Sequence, residues 1–80
     1  MISLTVQYFA ILREQRGLTE EKLTTAAVTP AGLYEELRVR HAFTLPAGHV
    51  RAAINGEFAP ADAVLREGDA VVFIPPVAGG

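Results

Sequence analysis

Apolar residues fall at every second position from Ile2 to Tyr8, with Ser3, Thr5 and Gln7 between Ile2, Leu4, Val6 and Tyr8. Side chains of an extended chain point alternately to opposite faces, so this period of two predicts a strand with one buried face. Phe9 interrupts the polar series and puts an aromatic ring on the face that the alternation leaves wet. It is a partner-binding residue, an ordinary exposed aromatic or a ring lying under the turn that follows. Ala10 to Gln15 are expected to form a helical turn before Arg16 and Gly17. Leu18 to Thr25 are expected to return as a second strand, although Glu20, Glu21 and Lys22 are poor strand formers.

Thr29 followed by Pro30 is a helix start: the hydroxyl can cap free amides, and proline suits the first helical position. The helix is expected to run to about His41, with Leu33, Tyr34 and Leu37 as its apolar stripe and Glu35, Glu36, Arg38 and Arg40 on the solvated side. Phe43 to Gly48 then form a loop. Val50 to Ile54 predict a strand, and Asn55-Gly56 is a strong hairpin signal because both residues accept positive φ. Glu57 and Phe58 start the return arm, an irregular crossing follows through Pro60 and Asp62, and Gly68-Asp69 make a turn. Ala70 to Ile74 are apolar at every position, as suits a central strand flanked on both sides. With right-handed crossover the last strand lies parallel beside the first, one main helix packs on one face, and the sheet is mixed, with about four or five strands. The expected fold is α+β, a β-grasp or ubiquitin-like arrangement, forming a single domain over residues 1–80.

Beyond that strand the chain reads Pro75, Pro76, Val77, Ala78, Gly79, Gly80. The prolines fix φ and disfavour helix at Ile74, so residues 74–80 are expected to form an extended, flexible functional tail. Its glycines carry no Cβ, so backbone and terminal carboxylate can enter a slot too narrow for other residues. The competing view is that small residues are simply common at frayed chain ends.

Composition narrows the functions available. Eighty residues make one small domain with little room for a deep active site. There is no cysteine, which removes disulfides, thiolate metal sites and a cysteine nucleophile. No apolar run approaches the ~20 residues of a membrane span, and the amino end does not resemble a secretory signal, so a soluble cytoplasmic protein is expected. The net charge is −2 with arginines scattered among glutamates, which argues against nucleic acid as a partner. His41 and His49 fall short of a zinc ligand set and are expected to be ordinary surface histidines. Ser3 is the only serine and opens a strand, so a serine nucleophile with a histidine base has little support. The glycines match neither dinucleotide nor phosphate-loop spacing, and Asp62 and Asp69 sit in turns where short carboxylates bond to nearby amides. No internal catalytic group emerges, and the terminal Gly80 carboxylate becomes the candidate reacting group.

Three segments carry a family resemblance: Phe9-Ala10-Ile11-Leu12-Arg13-Glu14, the hairpin Ala53-Ile54-Asn55-Gly56-Glu57, and Gly68 through Gly80, ending Phe73-Ile74-Pro75-Pro76-Val77-Ala78-Gly79-Gly80. Over its whole length the chain resembles the small, sulfur-carrying subunit of molybdopterin synthase, the MoaD type. The thiamine sulfur carrier also ends in Gly-Gly, but Pro-Pro-Val before it is closer to the molybdopterin branch. Ala70 departs from the family, which often has a charged residue there. The resemblance implies that an adenylating partner of the ubiquitin-activating, MoeB type uses ATP to couple the Gly80 carboxylate to AMP. A sulfur-donating enzyme then supplies the sulfur that converts it to a thiocarboxylate. It further implies that a large subunit of the MoaE type, in a heterotetramer of two small and two large subunits, takes up the tail Pro75 to Gly79. There Gly80 would give its sulfur to precursor Z, a cyclic pyranopterin monophosphate, to build the molybdopterin dithiolene. The chain would hold no permanent cofactor or metal and would be a non-catalytic subunit. By strand parity Phe9, Ile74 and Phe58 share the face opposite the helix and are the candidate partner contacts. Sulfur transfer for thiamine or another thiolation pathway, protein modification through Gly80, and a passive interaction domain remain as alternatives.

Overall fold

The computed structural model describes residues 1–76. The element order is β1 (Ile2–Tyr8), α1 (Ala10–Arg16), β2 (Glu20–Thr25), α2 (Pro30–His41), a 3-10 turn (Ala47–His49), β3 (Arg51–Ile54), β4 (Glu57–Ala59) and β5 (Ala70–Ile74). The strands form one five-stranded sheet in the order β2-β1-β5-β3-β4. β5 pairs parallel with β1, Tyr8 opposite Phe73, and antiparallel with β3, Arg51 opposite Ile74. The uniformly apolar segment is thus the central strand, and the fold is the β-grasp that the order of elements implied.

Each element starts and stops for a local reason. The Thr29 hydroxyl oxygen accepts from the Gly32 amide at 3.1 Å, and Pro30 opens the helix. α1 ends at Gly17, whose φ of +82° is left-handed and whose amide bonds to the Arg13 carbonyl; glycine takes this conformation without a Cβ clash. Asn55 and Gly56 both have positive φ, +53° and +88°, the hairpin geometry that matches strand twist. Asn55 also fastens that hairpin to β5: its side chain accepts from the Ala70 amide and donates to Asp69, both at 3.0 Å, while Asp69 accepts from the Arg66 amide at 2.8 Å. Asp69 is buried, and its carboxylate plays the backbone-bonding role expected of a turn aspartate.

The core lies between α2 and one face of the sheet. Leu33, Tyr34 and Leu37 meet Leu4, Val6, Tyr8, Val71 and Phe73, with Leu12 and Leu65 closing the ends. Phe43 lies in the expected loop but is buried, stacking on Tyr34 and meeting the edge of Tyr8, both at 5.9 Å between ring centroids. Loop composition hides such a residue, because what buries it is a contact distant in sequence. Glu36, expected on the solvated side of the helix, is half-buried and accepts from the buried Thr25 hydroxyl at 3.0 Å. β2 is shorter than the predicted 18–25 span; Leu18 and Thr19 lie outside it. Its acidic start is tolerated at a sheet edge, where Glu21 meets Tyr8 and Arg16. Val77, Ala78, Gly79 and Gly80, and with them the expectation of a flexible Gly-Gly tail, lie outside the described residues.

Candidate functional site

β1 and β5 end side by side, since Tyr8 and Phe73 are in register. What happens one residue later shapes the surface. Phe9 keeps extended backbone, φ −121° and ψ 150°, so strand alternation carries one step further and turns its ring away from the core. Ala10 then adopts φ +52°, a left-handed conformation costing a non-glycine residue on the order of 1 kcal/mol. That residue turns the chain out of β1 into α1, so that Phe9 and Ile11 border the same depression.

The depression has a volume of about 430 Å³ and is lined by Phe9, Ala10, Ile11, Leu45, Ile74, Pro75 and Pro76. Every lining residue is apolar. Phe9 and Ile11 are 41% and 38% exposed. Pro75 and Pro76 run directly from the last residue of the central strand into this wall. The proposed tail therefore starts at a rigid point of the fold, beside an apolar seat.

Of the sequence-predicted partner contacts, Phe9 and Ile74 come together here and Phe58 does not. Phe58 lies on the edge strand β4, 66% exposed, opposite Ala53, which pairs in turn with Val72. Register thus places it on the same sheet face as Ile74, outside the depression, with the Arg51 guanidinium 5.1 Å from its ring centroid. Sequence reasoning missed Leu45 and Ile11 as wall residues. Ile11 belonged to a quoted motif without a role, and Leu45 sits in a loop whose only signals were Pro46 and Gly48.

Three titratable groups elsewhere, Tyr8, Arg16 and Glu21, are occupied structurally. The Tyr8 hydroxyl donates to Glu21 Oε2 at 2.6 Å, and Arg16 donates to both oxygens of the same carboxylate at 2.9 and 3.0 Å. The Arg16 hydrogen bond, with help from Tyr8, holds Glu21 below its ordinary carboxylate range despite burial, while burial first and Glu21 second push Tyr8 up. His41, expected as an ordinary surface imidazole, is half-buried beside Phe43, and that burial lowers its pKa. Among the described residues no cluster of three His, Asp or Glu could hold a metal ion, and no helix is long and apolar enough to cross a membrane.

This fold is shared with known proteins. The molybdopterin synthase sulfur carrier subunit of Mycobacterium tuberculosis is 36% identical over 83 residues that span all of both chains. Its counterpart in Haemophilus influenzae is 32% identical, covering 96% of this chain and 99% of the relative. The solved structure of a putative molybdopterin converting factor, subunit 1, from Pyrococcus furiosus superposes with a TM-score of 0.76 at 29% identity, covering 96% of this chain and 100% of that one. The pattern of the ThiS family matches residues 6–80, nearly the whole length, and the chain belongs to that family.

Proposed function

We propose that this chain is the sulfur-carrier small subunit of a molybdopterin synthase, with the Gly80 carboxylate as the group that carries the sulfur. The observation that carries the proposal is the exit of the chain from the central strand: Ile74, Pro75 and Pro76 leave β5 along an exposed apolar wall. A carrier needs such an arrangement, because its partner must grip the body by an apolar patch while the tail enters the partner's own active site. The relatives named as sulfur carriers match along the full chain, which supports the same role here.

In this proposal the chemistry has two stages, and cytoplasmic ATP serves the first. A free carboxylate is a poor electrophile. An adenylating enzyme therefore lets a Gly80 oxygen attack the α-phosphorus of ATP; pyrophosphate leaves and an acyl adenylate forms. Hydrosulfide supplied by a sulfur-donating enzyme then attacks the carbonyl carbon and expels AMP, leaving a thiocarboxylate. In the large subunit that sulfur attacks a carbon of the precursor pterin and displaces an oxygen substituent, giving a thioester between Gly80 and the pterin. Water then cleaves the acyl–sulfur bond, which returns the Gly80 carboxylate and leaves the sulfur on the pterin. Gly80 is consumed and regenerated in each cycle, and acid-base groups belong to the partners. The chain's own residues supply position: Phe9, Ile11, Leu45 and Ile74 seat the partner, and Pro75-Pro76 hold the start of the tail extended.

The test is removal of Gly80 alone. A carboxylate then remains on Gly79 but sits about 3.5 Å short, and a displacement of ~1 Å can cost on the order of a hundredfold in rate. Single-turnover sulfur transfer is expected to be abolished, while thermal melts and binding isotherms with the large subunit stay nearly unchanged. Near-normal transfer by this variant would remove Gly80 as the reacting group. Mass spectrometry of the wild-type chain from its own cell is expected to show a species heavier by the difference between sulfur and oxygen.

A further inference from the structure

The arginines of this chain are placed in two ways. Arg16, Arg38 and Arg40 each face a glutamate, Glu21, Glu35 and Glu36 respectively. Arg13, Arg51 and Arg66 make no ion pair among the described residues. Of these three, Arg51 places its guanidinium carbon 5.1 Å from the ring centroid of Phe58. It is also the register partner of Ile74, the residue from which Pro75 and Pro76 depart. The nearest acid in sequence, Glu57, pairs with Ile54 and by strand alternation points to the opposite face.

A guanidinium over an aromatic face keeps its plane and loses rotamer freedom, yet its N–H edge stays open to solvent. Such an edge is matched in geometry by a carboxylate, which it can meet with two parallel hydrogen bonds. Around it the same sheet face carries Phe58, Ala53, Val72 and Ile74, so a partner seated there would exclude water and strengthen that contact. One cation among apolar residues does not make the charged stripe that a phosphate backbone needs. It fits a protein surface carrying one acidic side chain inside an apolar patch.

We infer that Arg51 is a specificity-determining residue of the docking face, fitting a partner that presents an Asp or Glu side chain beside apolar residues. The inference rests on the sulfur-carrier proposal and names the chemistry of its large-subunit partner. Phe58 then acts as the support that fixes the guanidinium, which gives its exposure a use distinct from that of Phe9.

The experiment is titration of the wild-type chain, R51M, R51K and R51E against the large subunit at low and high salt, with thermal melts of each. Wild-type affinity is expected to fall as salt rises, because salt screens the charge pair. R51M keeps the apolar stem; it is expected to bind about tenfold more weakly at low salt and to lose most of the salt dependence. R51K is expected to retain the salt dependence with an intermediate affinity, since it keeps the charge without the planar fork. R51E is expected to bind weakest. Melting temperatures should stay close together, Arg51 being exposed. R51M with wild-type affinity and salt dependence would overturn the inference and leave the carrier proposal standing. Weaker binding by R51M with an unchanged salt dependence would also overturn it, by showing a packing role alone. Failure of the wild-type chain to bind the large subunit would strike the carrier proposal, and this inference with it.

Discussion

Tyr8 and Phe9 are consecutive aromatic residues at the end of β1, and Phe73 and Ile74 are consecutive apolar residues at the end of β5, yet each pair divides between two jobs. Tyr8 and Phe73 face α2, at 0% and 1% exposure. Tyr34 meets the edge of Phe73 at 5.3 Å between centroids and donates its hydroxyl to the Leu45 carbonyl at 2.7 Å. Phe9 and Ile74 face away and line an open depression. The inner layer has every contact it needs; the outer layer has the same chemistry without a cover. Sequence position one residue apart therefore separates side chains that hold the fold from side chains available to a partner.

The largest effect expected within this comparison comes from the inner layer. Phe73→Ala removes a fully buried ring from the central strand and should cost about 3–5 kcal/mol of stability, a large part of what a small domain has. Phe58→Ala, on the exposed edge, should change stability by no more than about 0.5 kcal/mol. Urea unfolding of the two variants checks the contrast, and equal losses would show that the two faces had been assigned wrongly.

The outer layer should respond in the opposite sense. Phe9→Asp puts a charge into the depression and is expected to weaken association with the large subunit by at least ~2 kcal/mol, the size of a buried hot-spot contact. Its melting temperature should move little, because Phe9 is already 41% exposed. Ile74→Asp should weaken binding similarly, with a larger stability loss because Ile74 is half-buried. Calorimetric titration beside a thermal melt separates the two quantities. A Phe9→Asp chain that binds normally would show that the depression is not where the partner sits.

Much of this division was legible in the chain because alternation is a local rule. Ile2 to Tyr8 announced β1, Thr29-Pro30 announced α2, and Asn55-Gly56 announced the hairpin, each through its own backbone preferences. The parallel pairing of β5 with β1 followed from the apolar run at 70–74 and from the handedness of crossovers. What stayed hidden depends on residues far apart in sequence. Nothing near Phe43 indicates that Tyr8 and Tyr34 will enclose it, and nothing near Leu45 indicates that Phe9 and Pro75 will be its neighbours. The Asn55–Asp69 contact was likewise invisible, although each residue was correctly assigned to a turn. Phe58 and Arg51 could be placed on a face by parity, but their contact required the register of β3 and β4.

The smallest loss expected from breaking a contact that the fold uses is also the most sensitive to pH, and it tests how the inner layer is sealed at its wet edge. Tyr8 is buried up to its hydroxyl, which donates to Glu21, and the same carboxylate receives two hydrogen bonds from Arg16 on α1. Because Arg16, chiefly, and Tyr8 lower the Glu21 pKa from its ordinary 4.5, the folded chain binds fewer protons here than the unfolded chain does in mildly acidic solution. The resulting stability is fully present above the unfolded value and is lost as pH falls through the folded one. Glu21→Gln keeps the shape of the side chain but cannot titrate. It should destabilise by about 1 kcal/mol at neutral pH, a modest figure because the pair is only partly buried. The difference in melting temperature between this variant and the wild-type chain should narrow as the pH drops below about 4.5, the ordinary value. Tyr8→Phe should give a smaller loss, because Glu21 Oε2 gives up the Tyr8 hydroxyl but keeps Arg16 Nε as a donor, and the ring stays seated. A gap between wild type and Glu21→Gln that stays constant from neutral to acid pH would mean that charge at Glu21 contributes nothing to fastening α1, and that the wall formed by Phe9 and Ile11 is held by packing alone.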